Sequence, residues 1–201
     1  MQLKVIRTSV LTRSLWGVIT VNAVIYTAIW VLGVFYQPHL RTLGFSVSSM
    51  GLLYLVFRLI GAAGSYTSAG LGKRLGEYRQ LFVLPFLLAC TILLISYSGI
   101  PWGVVFIAVT FFFNGSIKPL ISTIINQRVE SRHRATVLSL NSLVGSLVLV
   151  PVQPLMGVYA EQLGLTSAFT LIGCFVLLGS VIAYRVSHLL ANNLKIVGKS
   201  A

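Results

Sequence analysis

Long apolar stretches alternate along the chain with short polar segments that hold most of the charged residues. A helix that crosses a membrane needs about 20 mainly apolar residues, and six stretches meet or approach that length. They run at Leu15–Gln37, Val47–Leu71, Leu81–Tyr97, Trp102–Asn126, Ala135–Tyr159 and Ala168–Tyr184. We therefore expect an all-α membrane protein whose residues 1–201 form a single six-helix transmembrane bundle.

Composition supports lipid as the surrounding solvent. Of the 201 residues, 56% are hydrophobic and only 9% are charged, whereas a soluble domain is about 25% charged. The net charge of +12 comes from short clusters between apolar runs, and this arrangement does not form the basic face that nucleic-acid binding requires. We expect no nucleic-acid partner.

The basic clusters also predict the orientation of the chain. Cytoplasmic loops carry an excess of Lys and Arg, and a cytoplasmic N-terminus puts twelve such residues inside and Arg41 alone outside. The inside residues are Lys4, Arg7, Arg13, Lys73, Arg74, Arg79, Arg128, Arg132, Arg134, Arg185, Lys195 and Lys199. We predict that both termini are cytoplasmic.

Arg58 is the most informative single residue because it lies near the middle of the second span. A central Arg costs about 2.5–3.5 kcal/mol on insertion scales, so such residues usually face a cavity or a partner. Tyr54, one turn earlier, falls on the same face. The residue is either an anion-binding or gating group in a pathway, or a structural Arg paired with carbonyls or an acid elsewhere.

Lys118 lies in the inner half of the fourth span, with Asn114 one turn before it and Ser122 one turn after it. This polar stripe favours a role in a pathway. The alternative is that the long side chain reaches the inner membrane surface, as Lys side chains near helix ends often do.

Two further spans carry polar residues on one face. The first has Asn22, Tyr26, Trp30 and Gln37 at helical spacing, which predicts either a cavity lining or helix packing. The fifth has Asn141 and Gln153, together with prolines that lipid helices tolerate beside other helices or a cavity.

Small residues in the second span predict close helix packing. Gly61, Ser65 and Ala69 are spaced four residues apart, and such series let two helix backbones approach closely in lipid.

Several chemistries are absent from the sequence. No span contains Asp or Glu, no glycine-rich loop followed by Lys and Ser or Thr would hold ATP phosphates, and no paired His or Cys spacing indicates a metal. The His residues at 39, 133 and 188 lie at helix ends or loops, where we expect surface positions. We therefore expect neither an enzyme nor a cofactor.

Three groups of segments occur in a characteristic order: Tyr36–Leu40 with Leu43–Ser46, then Ala69–Gly76, then Pro119–Asn126 with Arg132–Leu140. In this order they resemble the C-terminal six-helix half of a drug-efflux-like member of the major facilitator superfamily. The middle segment is similar to the family's signature Gly-x-Leu-Ala-Asp-Arg-x-Gly-Arg-Arg, from which it departs at Lys73, Glu77 and Tyr78.

The resemblance implies two three-helix inverted repeats and secondary active transport of a small organic solute by alternating access. It implies a multi-pass protein of the cytoplasmic (inner) membrane, an efflux role, and a partner that is either the missing N-terminal half or a second copy. It also implies that the first, second, fourth and fifth spans face the pathway, with Arg74, Gly76 and Arg134 in the gating inner loops. The alternative is a non-transporting membrane scaffold or a remnant half-transporter.

Overall fold

The computed structural model describes the backbone of residues 13–197 and the side chains of residues 15–76 and 79–186. Every regular element in this range is helical: α1 (Arg13–Thr42), α2 (Val47–Leu75), α3 (Glu77–Tyr97), α4 (Trp102–Arg128), a 3₁₀ turn (Ser131–His133) and a last helix (Arg134–Val197). Lys4, Arg7 and Lys199, which contribute to the predicted orientation, lie outside the described residues.

Glycines with positive φ make the sharp changes in direction. Gly44 (φ 87°) lies in the turn before α2, and Gly76 (φ 79°) is the single residue between α2 and α3. Gly164 (φ 83°, ψ 164°) interrupts the last helix. Its two arms are α5 (residues 134–163) and α6 (residues 165–197). A side chain is disfavoured at these φ values, so glycine permits each connection.

Five of the described helices are long and apolar enough to cross a membrane, the last candidate extending over Ser131–Val186 and including the break at Gly164. Helix α1 continues five residues past the predicted end at Gln37, with Pro38 inside it. The apolar stretch ends near Gln37, but a helix can continue wherever backbone hydrogen bonds are made, and proline removes only one donor.

Helix α6 packs on both α1 and α3. Gly17 and Val24 of α1 lie against Val186 and Gly179 of α6, so the two helices are antiparallel. The rings of Phe82 and Tyr184, 5.4 Å apart, and the contact of Leu93 with Gly173 give α3 the same direction relative to α6. The apolar core of the bundle lies mainly among α1, α3, α4 and α6.

Helices α2 and α4 run parallel and cross at small residues. Gly61 lies against Gly115, and a Cβ on Gly115 would overlap the Gly61 carbonyl oxygen. The Ser65 hydroxyl donates to the Gly115 carbonyl oxygen at 2.9 Å, and the Ser68 hydroxyl donates to that of Ser116 at 2.8 Å. The predicted close packing is confirmed for Gly61 and Ser65.

Helix α2 is otherwise open. Among its 29 residues only Phe57, Gly64 and Ser68 are buried. Its main neighbour is α4, and Ala69, the third member of the small-residue series, is exposed. One side of α2 is therefore anchored to α4, and most of the remainder is free of contacts with the other described helices.

Candidate functional site

A cavity of about 920 Å³ lies between α1, α2 and α4. Its walls come from residues 22–41 of α1, residues 47–58 of α2 and residues 110–118 of α4. The parallel crossing of α2 and α4 at Gly61 and Gly115 closes one side of the cavity, because the two backbones touch there.

Eight of the ten predicted pathway residues line this cavity: Asn22, Tyr26, Trp30, Gln37, Tyr54, Arg58, Asn114 and Lys118. The other two, Asn141 and Gln153 of α5, do not line it, and neither do Arg74, Gly76 and Arg134 of the inner loops. Periodicity along three separate helices thus identified side chains that the fold brings to one concave surface.

Tyr54 orients the guanidinium group of Arg58. The Arg58 Nε donates a hydrogen bond to the Tyr54 hydroxyl oxygen at 2.7 Å, and Nη2 donates to the same oxygen. The guanidinium carbon also lies 4.9 Å from the centroid of the Tyr54 ring, within cation–π range. The two residues are four positions apart, so one turn of helix sets this geometry.

Aromatic side chains of α1 and α4 pack against the Tyr54 ring. The Tyr36 and Tyr54 rings are stacked, with centroids 6.2 Å apart and planes 10° from parallel. Phe111 of α4 presents its ring edge-on to both, and the Gln37 amide donates to the Tyr36 hydroxyl at 3.2 Å. Tyr36 and Phe111 were not predicted as lining residues. For Phe111 the available signal was its helical spacing from Asn114 and Lys118.

On α1, Tyr26 and Trp30 form the second aromatic part of the wall. Their ring centroids are 6.0 Å apart. Behind Tyr26 lies Gly145 of α5, where an added Cβ would approach the Tyr26 Cδ1 to 2.9 Å. Helix α5 therefore contributes support for the cavity wall at this position.

Lys118 and Arg58 lie at different depths. Each is three residues from the α2–α4 crossing, in opposite directions, which at 1.5 Å per residue separates them by about 9 Å along the helix axes. Asn114 lies one turn from Lys118 on the same helix, and the Lys118 side chain is exposed. Among the described residues, the Lys118 ammonium has no hydrogen-bond or ion-pair partner.

The sequence profile of the Major Facilitator Superfamily matches residues 18–194, most of the chain and all three helices of the cavity. The chain belongs to this superfamily. It is therefore a multi-pass membrane protein of a family of transporters, as the resemblance of its motifs indicated. No curated protein matches the sequence closely enough to identify its solute.

The two predicted pathway residues of α5 lie outside the main cavity. Asn141 is buried, 8% exposed, and its Oδ1 has no hydrogen-bond partner among the described atoms. Gln153 is exposed. A role for either residue in the solute pathway stays a prediction.

Arg74, Gly76 and Arg134, which are predicted for the inner loops, lie at or next to the connections between helices. Arg74 is exposed in the last turn of α2, and Gly76 provides the positive φ after it. Arg134 Nε donates to the Val129 carbonyl oxygen at 3.1 Å, at the end of α4. These contacts are structural, and the gating role that the resemblance implies stays a prediction.

A second, smaller cavity of about 670 Å³ lies near His39, Ser96 and the Gly164 break. The His39 ring packs edge-on against Phe169 at 5.2 Å, and its Nε2 is buried. The expectation of surface positions was only partly right for His39 and His133, because both are half-buried and the Nε2 of each is buried without a hydrogen-bond partner among the described atoms. His188 lies beyond the side chains that the structure describes.

The main cavity is cationic. Arg41, Arg58 and Lys118 line it, and none of its described lining residues is acidic. The only ion pair between described side chains, Arg132 with Glu130 at 2.8 Å, is exposed in the loop after α4. No group of His, Cys, Asp and Glu among the described residues could hold a metal ion.

Proposed function

We propose that this chain transports a small organic solute across the membrane by alternating access, and that the α1–α2–α4 cavity forms part of the pathway. The observation that carries the proposal is the convergence of polar and cationic side chains from three apolar helices on one cavity. In lipid such side chains are costly unless they face water, a partner or a ligand.

In this proposal α5 and α6 are separate spans, which gives six spans arranged as the C-terminal half of the transporter fold. The non-helical backbone of Gly164, which divides the last helix into two arms, supports this arrangement. Two three-helix inverted repeats, α1–α3 and α4–α6, would follow. The basic loop residues support cytoplasmic termini and a cytoplasmic (inner) membrane location.

A second unit would complete the pathway. Arg58 and Trp30 line the cavity and are exposed, and α2 has only three buried residues. A six-helix partner, either an N-terminal half or a second copy of this chain, would cover this side. Efflux is our proposed direction of transport, on the family resemblance of the outer loop.

Flux in proteoliposomes tests the proposal. The purified chain is reconstituted, and protein-dependent exchange is measured for three labelled probes: naphthalene-2-sulfonate, sucrose and N-methylquinolinium. We expect exchange of at least one probe, and its loss when Arg58→Leu and Lys118→Leu are combined.

Lys73→Leu is the matched control, because Lys73 is an exposed cation of α2 outside the cavity. It should leave exchange unchanged. Exchange that survives the double substitution would exclude these cations from the pathway. The absence of exchange for all three probes would exclude transport by this chain alone or as a homodimer. It would leave two possibilities, a pathway completed by an N-terminal half and the alternative, a non-transporting scaffold or remnant.

A further inference from the structure

The charge and shape of the cavity indicate which class of solute it takes. We propose that the site binds a solute with an anionic head and an aromatic or apolar body, the head on Arg58 and the body against the aromatic walls. This inference rests on the proposed function, because it assigns a solute class to the same cavity.

Arg58 has unused hydrogen-bond donors. A guanidinium group has five N–H donors and no acceptor. Two donors go to the Tyr54 hydroxyl oxygen, and within the described side chains the other three meet no acceptor. Because the hydrogen bonds to Tyr54 fix the plane of the guanidinium group, those donors are pre-oriented for a carboxylate, sulfonate or phosphate.

The positive charge of the described cavity lining is not compensated. The described cavity lining contains three cations and no carboxylate. An anionic solute would satisfy the cations, whereas a cationic solute would be repelled in an apolar surrounding where charges are weakly screened. A neutral solute would leave the charge of Arg58 without a counter-charge.

The depth of Arg58 in the membrane distinguishes a solute from a lipid headgroup as the source of the anion. Arg58 is eleven residues from the start of α2, about 16 Å along the helix axis. Because the hydrocarbon core is about 30 Å thick, this position is near its centre, far from lipid phosphates. The anion must therefore enter the cavity as part of a separate molecule.

The remaining wall of the cavity is largely aromatic. Tyr26 and Trp30 of α1 line the cavity together with Tyr54, and Phe111 of α4 lies against Tyr54. Aromatic side chains of this kind stack with planar rings in offset or edge-on arrangements. Lys118, about 9 Å deeper than Arg58, provides a second position for the anionic head as the solute moves.

The test compares three ligands that share one ring system and differ in charge. Equilibrium dialysis measures binding of naphthalene-2-carboxylate, naphthalene-2-carboxamide and 2-naphthylmethylammonium to the full chain in phosphatidylcholine nanodiscs. We expect the carboxylate to bind at least about tenfold more tightly than the other two. Equal affinities, no binding of the carboxylate, or a preference for the ammonium compound would overturn the inference.

Variants then locate the anionic head. Arg58→Gln should weaken carboxylate binding by about tenfold to a hundredfold and leave carboxamide binding unchanged, while Lys73→Gln should change neither. Equal weakening of both ligands would contradict a direct contact. The ligand series on the unmodified chain remains decisive if Arg58→Gln fails to fold.

This experiment and the flux assay can fail separately. Carboxylate-selective binding without exchange of any probe would sustain the solute class and contradict transport by the chain. Exchange of sucrose or N-methylquinolinium without exchange of naphthalene-2-sulfonate would sustain transport and overturn the solute class.

Discussion

The α2–α4 crossing gives the sharpest prediction about packing, because it depends on a glycine. A Cβ at Gly115 would overlap the carbonyl oxygen of Gly61 and lie 2.8 Å from its carbonyl carbon. Non-bonded carbon atoms pack at about 3.5–4.0 Å. The substitution Gly115→Ala therefore pushes the two helices apart by about 1 Å.

Three hydrogen bonds cross this contact and would be lost. The Ser65 hydroxyl donates to Gly115 O at 2.9 Å, the Ser68 hydroxyl to Ser116 O at 2.8 Å, and the Ser116 hydroxyl to Gly64 O at 2.9 Å. A 1 Å separation takes all three beyond hydrogen-bonding distance. Interhelical bonds in membranes contribute on average about 0.6 kcal/mol each, so with lost packing we expect a destabilisation of about 2–4 kcal/mol.

Thermal unfolding in detergent, followed by tryptophan fluorescence, measures this effect. Gly70→Ala is the matched control, because Gly70 is on α2 and a Cβ there would meet nothing within 4 Å. Helices in lipid keep their backbone bonds when they separate, so the higher helix propensity of alanine should change little. A Tm for Gly115→Ala equal to that of Gly70→Ala would refute the crossing as described.

Three other predictions concern single groups. Thr27→Val should raise stability by about 1 kcal/mol, because the Thr27 hydroxyl is buried and has no hydrogen-bond partner among the described residues. Thr91→Val removes a 2.8 Å bond to Leu88 O and should not raise stability, so an equal Tm change for the two variants would contradict this. Tyr54→Phe should weaken naphthalene-2-carboxylate binding severalfold in dialysis, because Arg58 loses its positioning acceptor; unchanged binding would show that Tyr54 is not needed. Gly76→Ala should lower Tm, because an alanine held at a φ of 79° is destabilised by about 1–2 kcal/mol. An unchanged Tm would contradict this backbone geometry.

The helices of the fold could be predicted from the sequence, but some of their ends could not. Apolar length located α1 to α4, because lipid requires it. The end of α1 was missed because the apolar stretch stops at Gln37 while the helix continues to Thr42. Similarly, residues 160–167, between the predicted fifth and sixth spans, are helical except for the break at Gly164.

The candidate site could likewise be predicted only in part. Spacing along a helix determines which residues share a face, and it correctly grouped Tyr26 with Trp30 and Tyr54 with Arg58. It does not determine how each helix is rotated relative to its neighbours. For that reason the polar residues of α5, Asn141 among them, were expected on a pathway but do not line the described cavity.

Tyr36 could not be assigned for a related reason. It is one residue from Gln37 and points in a different direction on the helix, so periodicity placed it off the predicted face. Its stacking on Tyr54 depends on how α1 and α2 meet. Such contacts between helices come from packing of the whole bundle.

The central claim is that the α1–α2–α4 cavity contains water and a solute in the membrane, and cysteine accessibility tests it most directly. In a chain carrying Cys90→Ser and Cys174→Ser, a membrane-impermeant maleimide is applied to Asn114→Cys and, as a control, to Leu178→Cys. Leu178 is 67% exposed on α6 and outside the cavity. The account predicts that Asn114→Cys is labelled and Leu178→Cys is not, and labelling of neither or of Leu178→Cys alone would contradict it.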